Sequence, residues 1–323
     1  MTSRNPIARR SPPHTVRVKT KFRLNKSQTP SESNAHLRVL QYAIGADATP
    51  LVLSSEWHDV SDYIRDCEVF SSRPRGIYLK YLTIMIITET QNNALWLRLD
   101  SGKGNLLGQA EIDSLRAIVH DAESNSQVSF VCLTGTGQSF CAGANLAEVA
   151  LTKDAARIDH FFRSLDSLLL ELFSLSKPLV AVVNGHSIGA GFLLQGTADM
   201  VFLPNNPRIK LGLPELELGL TFDNAMQAVL EFYMGTHHFI QDAYAAKYFG
   251  VDRAAAFLNT FISEDASNCA DAALQAGQQL AKNAQGFAHL KGISRESTRN
   301  CIQMDLEHGG YQIFSKLMTA TPL

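Results

Sequence analysis

A chain of 323 residues, 45% hydrophobic and 19% charged, is long and apolar enough to bury a full core, and its formal net charge of -2 gives it no overall attraction for nucleic acid. Its five cysteines (Cys67, Cys132, Cys141, Cys269 and Cys301) are odd in number and widely spaced, which fits neither a disulfide framework nor a clustered zinc site. A reducing compartment, the cytoplasm, is therefore expected, with no metal, and no apolar run approaches the roughly 18 residues of a membrane span.

In chain order, residues 1–30 come first, with eight basic side chains (Arg4, Arg9, Arg10, Arg17, Lys19, Lys21, Arg23 and Lys26) and no acidic one. This composition, mixed with Pro and Ser, reads as a disordered tail over residues 1–35. An organelle transit segment is equally basic and acid-poor, and a nucleic-acid-binding arm is a third reading. Residues 36–83 hold short strand-like runs such as "LRVLQYAI" but no motif, and are taken as an N-terminal extension to a main domain over residues 84–323.

Periodicity becomes regular after that. "ALWLRLDS" alternates Leu95, Leu97 and Leu99 as a strand does, and "GQAEIDSLRAIVHDA" places Ile112, Leu115, Ile118 and Val119 at helical spacing. The strand "VSFVCLTG" leads to the loop "TGTGQSFCAGANL". A helix follows with Ile158, Phe161, Phe162, Leu165, Leu168, Leu169 and Leu172 three and four apart, then "KPLVAVVNG", a buried strand entered through Pro178 and stopped by Gly185. Strands alternating with helices predict an α/β chain without internal repeat.

Two glycine-containing loops thus follow buried strands: "TGTGQSFCAGANL" and "NGHSIGAGFLLQG". Small residues let a backbone approach a ligand closely, and the outward N–H groups at a helix start can hold an oxyanion. Glycines needed only for tight turns are the other reading. The dinucleotide pattern is incomplete in both loops, and neither has the Gly-Lys-Ser/Thr of a phosphate-binding loop.

With "VCLTGTGQSFCAGANLAEV", "KPLVAVVNGHSIGAGFLLQGTADMVF" and "KLGLPELELGL" in this order, the chain resembles the crotonase superfamily, the enoyl-CoA hydratase and isomerase family, from about Ile84 to its end. The resemblance implies a crotonase-like spiral of strand-strand-helix turns with a C-terminal helical region. It also implies a homotrimer or hexamer, an acyl-CoA thioester substrate, and no cofactor beyond the coenzyme A that the substrate carries. Transferred by position, the backbone N–H groups of Ala144 and Ala190 form the oxyanion hole, and Ala142, Gly143, Leu146, Gly189 and Leu193 contact substrate or coenzyme A. Glu215 is the catalytic acid/base.

Several positions depart from the family pattern. Hydratases carry a second glutamate where this chain has Leu193, so double-bond isomerisation is favoured over hydration. Ala190 stands where many relatives have glycine, and Ala147 where a lysine often meets a phosphate; Lys153 and Lys291 are substitutes that no motif places. Asp223 is read as a second catalytic acid, a polar clamp on substrate, or the N-cap of a helix beginning near Ala225. His186 is read as structural, and His237 and His238 as surface residues. The alternatives in function are other enolate chemistry (decarboxylation, or making or breaking of C–C bonds), or a non-catalytic protein that binds acyl-CoA or RNA.

Overall fold

The computed structural model describes residues 86–150 and 153–320. The expected tail (1–35) and extension (36–83) lie outside the described residues. The first element is a hairpin of β1 (Ile86–Gln91) and β2 (Ala94–Leu99), which pair antiparallel. Asn92 and Asn93, at φ 51° and 62°, make its two-residue turn, because asparagine tolerates the left-handed region that such a turn requires. Helix α1 (Gln109–Ser124) then begins where the Glu111 carboxylate accepts the Gly108 N–H at 3.0 Å, and it buries Ile112, Leu115, Ile118 and Val119 as their spacing predicts.

The chain repeats this strand-strand-helix turn three more times. β3 (Phe130–Gly135) and β4 (Ser139–Cys141) are followed by α2 (Leu146–Ala150) and the long α3 (Ala155–Ser174). β5 (Leu179–Val182) and β6 (His186–Ile188) are followed by α4 (Ala190–Gly196), and β7 (Met200–Pro204) and β8 (Leu211–Gly212) by α5 (Asn224–Met234). Next come α6 (Thr236–Ala245), β9 (Tyr248–Phe249), α7 (Val251–Ala254) and β10 (Thr260–Ser263). The C-terminal helical region is α8 (Ala266–Ala281), α9 (Ala284–Ser294), α10 (Glu296–His308) and α11 (Gln312–Ala320). None of the described helices is long and apolar enough to cross a membrane.

In turns two to four the first strand joins one sheet and the second another. The larger sheet has the order β1-β2-β3-β5-β7-β10, parallel from β2 onward, and the smaller has the order β4-β6-β8-β9, with β4, β6 and β8 parallel. Both faces of the larger sheet are covered. Leu97, Leu99, Val131, Leu133, Leu179 and Ala181 face the main core with α1 and α3. Ala94, Trp96, Phe130, Cys132, Val180, Val182 and Phe202 face α8 through Cys269 and Ala273. Burial on both faces explains why β3 and β5 read as continuous apolar runs.

The C-terminal helices are tied to this core by charge. Asp199, at the start of β7, accepts the Leu179 N–H at 2.8 Å, the Lys291 ammonium at 2.7 Å and the Arg295 guanidinium at 2.8 Å. All three side chains are buried. Arg295 also donates to the Thr197 and Ala198 carbonyls at 2.7 and 2.9 Å, and its guanidinium lies over the Phe173 and Phe232 rings. Burial pulls the Lys291 ammonium down to about 8, and the Asp199 charge opposes that fall. Asp199→Ala would leave two cations buried without their anion. The expected cost is roughly 3–5 kcal/mol of unfolding free energy, measured by urea denaturation. A loss below about 1 kcal/mol would show that water replaces the carboxylate.

Candidate active site

The three sequence segments that carry the family resemblance meet because β4, β6 and β8 are neighbouring parallel strands. Their carboxyl ends therefore share one edge. From that edge leave Ala142 to Asn145 after β4, Gly189 and Ala190 after β6, and Leu213 to Glu215 after β8. Crevices beyond the carboxyl ends of parallel strands are where open α/β sheets bind their ligands.

Each loop presents an N–H. Ala144 pairs with Leu107 in a parallel bridge, in which the Leu107 N–H donates to Gly143 and the Asn145 N–H donates to Leu107. Those bonds use the neighbours of Ala144, so its own N–H points to the other side and has no acceptor among the described residues. Ala190 opens α4, and the first N–H groups of a helix have no acceptor within it. Gly189, just before, adopts φ 54° and ψ −121°, a conformation that L side chains do not take. A Cβ built there would stand 3.1 Å from Glu215 Oε1 and 4.0 Å from the Gly143 Cα. This one point ties both loops to the carboxylate.

The loops also touch backbone to backbone. A Cβ on Gly191 would lie 2.0 Å from the Cys141 carbonyl oxygen, so β4 and α4 approach each other only with glycine there. Two asparagines hold the approach in place. Asn105 is fully buried and donates to the Ser139 carbonyl at 2.8 Å and to the Thr136 carbonyl at 3.0 Å. Asn184 accepts the Gly135 N–H at 2.9 Å and donates to the Gly137 carbonyl at 3.1 Å.

Glu215 follows Pro214, and its backbone carbonyl accepts the N–H groups of Leu218 and Leu220. The resulting turn aims the side chain back toward Gly189. Its Oε2 is buried and accepts no hydrogen bond from any described residue. Burial pushes the carboxyl up to about 8, and a hydrogen bond from its own backbone N–H opposes the rise. The helix that follows Gly189, with the sequence AGFLLQG, brings no carboxylate to this end of the sheet, and its Leu193 is buried in the main core.

Of the remaining candidates, Ala142 donates its N–H to the Gly104 carbonyl at 2.7 Å, and Leu146 opens α2, half-buried against the core. Asp223 caps α5, accepting the Met226 N–H at 2.9 Å, and its carboxylate lies with those of Asp166 and Asp305. Burial and the neighbouring carboxylates raise both Asp166 and Asp223, the latter to about 6. Lys291, read from sequence as a substitute phosphate contact, is buried in its bond to Asp199 and is not available for one. His186 accepts the Lys210 N–H at 3.0 Å, in keeping with a structural role. His237 is exposed, whereas His238 is half-buried, with its ring 5.8 Å from that of Phe257. Asn105, Asn184 and Asp166 were missed. Asp166 had a readable signal, because it sits four residues after Phe162 and three before Leu169 on the apolar stripe of α3.

Two backbone amides and the half-buried Glu215, with its Oε2 enclosed, thus lie at the shared ends of the parallel strands. The sequence model of the family Enoyl-CoA hydratase/isomerase matches residues 89–318, and the chain belongs to that family. Its fold is that of human mitochondrial delta3-delta2-enoyl-CoA isomerase, with a TM-score of 0.67 at 20% identity over 72% of this chain and 92% of that one. It is equally that of a Mycobacterium tuberculosis protein described in one structure as an enoyl-CoA isomerase and in another as a probable enoyl-CoA hydratase, with a TM-score of 0.63 at 22% identity over 70% and 97% for the first. In sequence it is 33% identical over 136 residues to 2,3-dehydroadipyl-CoA hydratase of Escherichia coli, which is 42% of this chain and 51% of that protein. The chain spans about half the length of the curated relatives it matches.

The close approach of the loops has a direct test. Gly191→Ala forces a Cβ against a backbone carbonyl and is expected to cost roughly 1–3 kcal/mol, as overpacking does. Gly292→Ala, in α9 with open space around it, is expected to stabilise by about 0.5–1 kcal/mol. Thermal unfolding of both variants checks the pair, and equal effects would show that the loops yield.

Proposed function

We propose that the chain moves a double bond in an enoyl-CoA thioester, with Glu215 carrying the proton and the Ala144 and Ala190 N–H groups holding the thioester oxygen. The observation that supports this most is a Glu215 carboxylate that no acid from α4 accompanies. Glu215 has a buried oxygen with no donor, and no acid from α4 accompanies it, because Leu193 occupies the position where hydratases have their second glutamate. Orienting a water for addition takes two carboxylates, whereas shuttling a proton over one face of an enolate takes one.

The chemistry follows in two proton transfers. The Glu215 carboxylate takes a proton from C2 of a 3-enoyl thioester, and the electron pair moves through the C1 carbon onto the thioester oxygen. The two N–H donors stabilise that developing charge, each contributing a few kcal/mol. Glu215, now protonated, returns the proton to C4, the oxygen's charge moves back, and the double bond lies between C2 and C3. A carboxyl raised to about 8 is well matched to both steps, since it neither holds its proton too weakly nor binds it irreversibly.

The proposal is tested by assaying 3-enoyl- and 2-enoyl-CoA for double-bond migration and for water addition under the same conditions. Migration is expected to exceed hydration in the natural protein, Glu215→Gln to abolish both, and Ala190→Pro, which removes one donor, to cost roughly 10²–10³-fold in turnover. Leu193→Glu is expected to raise hydration relative to migration. A natural protein that hydrates as fast as it isomerises, with Glu215→Gln still active, would overturn the assignment.

Acidity gives an independent check. At pH below about 4 the Glu215 carboxyl is protonated in the folded and unfolded chain alike. From there to about 8 only the folded chain keeps the proton, so this group lowers stability progressively as pH rises through that window and by a constant amount above it. The Tm of Glu215→Gln minus that of the natural protein is therefore expected to grow with pH across the window and level off beyond about 8. The activity of the natural protein is expected to rise over the same range, because the base form is needed for the first step.

A further inference from the structure

We propose that Asp166, Asp223 and Asp305 form a binding site for one divalent cation of calcium's size, at the junction of α3, α5 and α10. The three carboxylates come from distant parts of the chain and each offers an oxygen within 4.8 Å of the others. That spacing is compatible with one shared cation, since two oxygens each about 2.4 Å from a calcium ion are at most about 4.8 Å apart.

The arrangement of the oxygens points inward. Asp223 has one oxygen held by the Met226 N–H and the other without a donor. Asp305 is built the same way, with Oδ1 held at 2.7 Å by the Asn224 side chain and Oδ2 without a donor. Asp166 is 0% exposed, and apart from a proton that it can share with Asp223 neither of its oxygens has a donor among the described residues. Four carboxylate oxygens are thus buried and open, two of them on carboxylates that a donor already orients, as the ligands of a metal usually are. Burial raises both Asp166 and Asp223 and the neighbouring aspartates add to it, while the Met226 N–H opposes the rise at Asp223.

A fully buried carboxylate with no donor is too costly to stand ionised, and two carboxylates at hydrogen-bonding range, as Asp166 and Asp223 are, need a proton or a cation between them. The cation accounts for more of the structure, because a shared proton joins only two of the three groups. The ligand set is hard, with carboxylate oxygens and neither His nor Cys, which suits calcium and not zinc or copper. Magnesium fits less well, since it retains several waters and this junction is buried. Packing leaves little slack around Asp305, where a Cβ on Gly310 would lie 2.0 Å from Oδ1.

The test compares the full chain, stripped with EDTA, with and without millimolar CaCl2 or MgCl2 near neutral pH. Calcium is expected to raise Tm by several degrees and to titrate calorimetrically at one ion per chain, with a smaller effect of magnesium. Asp166→Asn is expected to be at least as stable as the stripped natural protein, since it removes a buried charge, and to lose the calcium response. Asp305→Asn serves the same purpose if Asp166→Asn does not fold. No calcium response in the natural protein, a response favouring magnesium, or one that persists unchanged in the folded variant would overturn the proposal.

Discussion

The candidate site depends on one close contact, the approach of Gly191 to the Cys141 carbonyl. Parallel pairing of β4 with β6 sets the two loops side by side, but a side chain at position 191 would hold them apart. With them apart, the Ala144 and Ala190 amides could not serve one oxygen in the way proposed. Everything near this contact is arranged to keep it. Asn105 and Asn184 use their amides to fasten the loop after β3, and Gly189 takes a backbone conformation closed to other residues so that Glu215 can come within reach. The proposed oxyanion site rests on peptide groups, whose positions are set by the sheet and not by rotamers.

Buried charge is handled in opposite ways in different parts of the molecule. Asp199 is surrounded by an ammonium, a guanidinium and a backbone N–H, and its role is to fasten α9 to the sheet. Glu215 has one buried oxygen without a partner, and burial raises its proton affinity. A satisfied buried ion pair resists change, whereas an unsatisfied carboxyl is poised to exchange a proton or accept a ligand.

Much of the domain was legible in the sequence, for reasons that differ by element. The apolar stripes of α1 and α3 lie along a period that only a helix satisfies, and β3 and β5 are continuous apolar runs because both faces of their sheet are covered. The smaller sheet was not legible. β4, β6 and β8 have only two or three residues each, too few to show any period, and their pairing is set by the turns between them. The site could be read only through motifs, since backbone amides leave no mark in residue type beyond small neighbours. Asp305 lies on a polar C-terminal helix whose sequence says nothing of its partners, and the charged trio around Asp199 joins positions too distant for any spacing rule.

The outer face of the larger sheet is covered among the described residues by α8, which sets Gly277 so close to Phe130 that a Cβ there would lie 2.2 Å from the ring. Strands from the first half of the domain, with Trp96, Phe130 and Val180 on that face, thus await a helix made near the end of the chain. During synthesis, which adds roughly 5–20 residues per second, this apolar surface is exposed for many seconds before its cover emerges. Loss of the segment that covers this face would leave its apolar side chains exposed. On the ribosome, the fold's weakest moment is set by chain order and not by the strength of its final contacts.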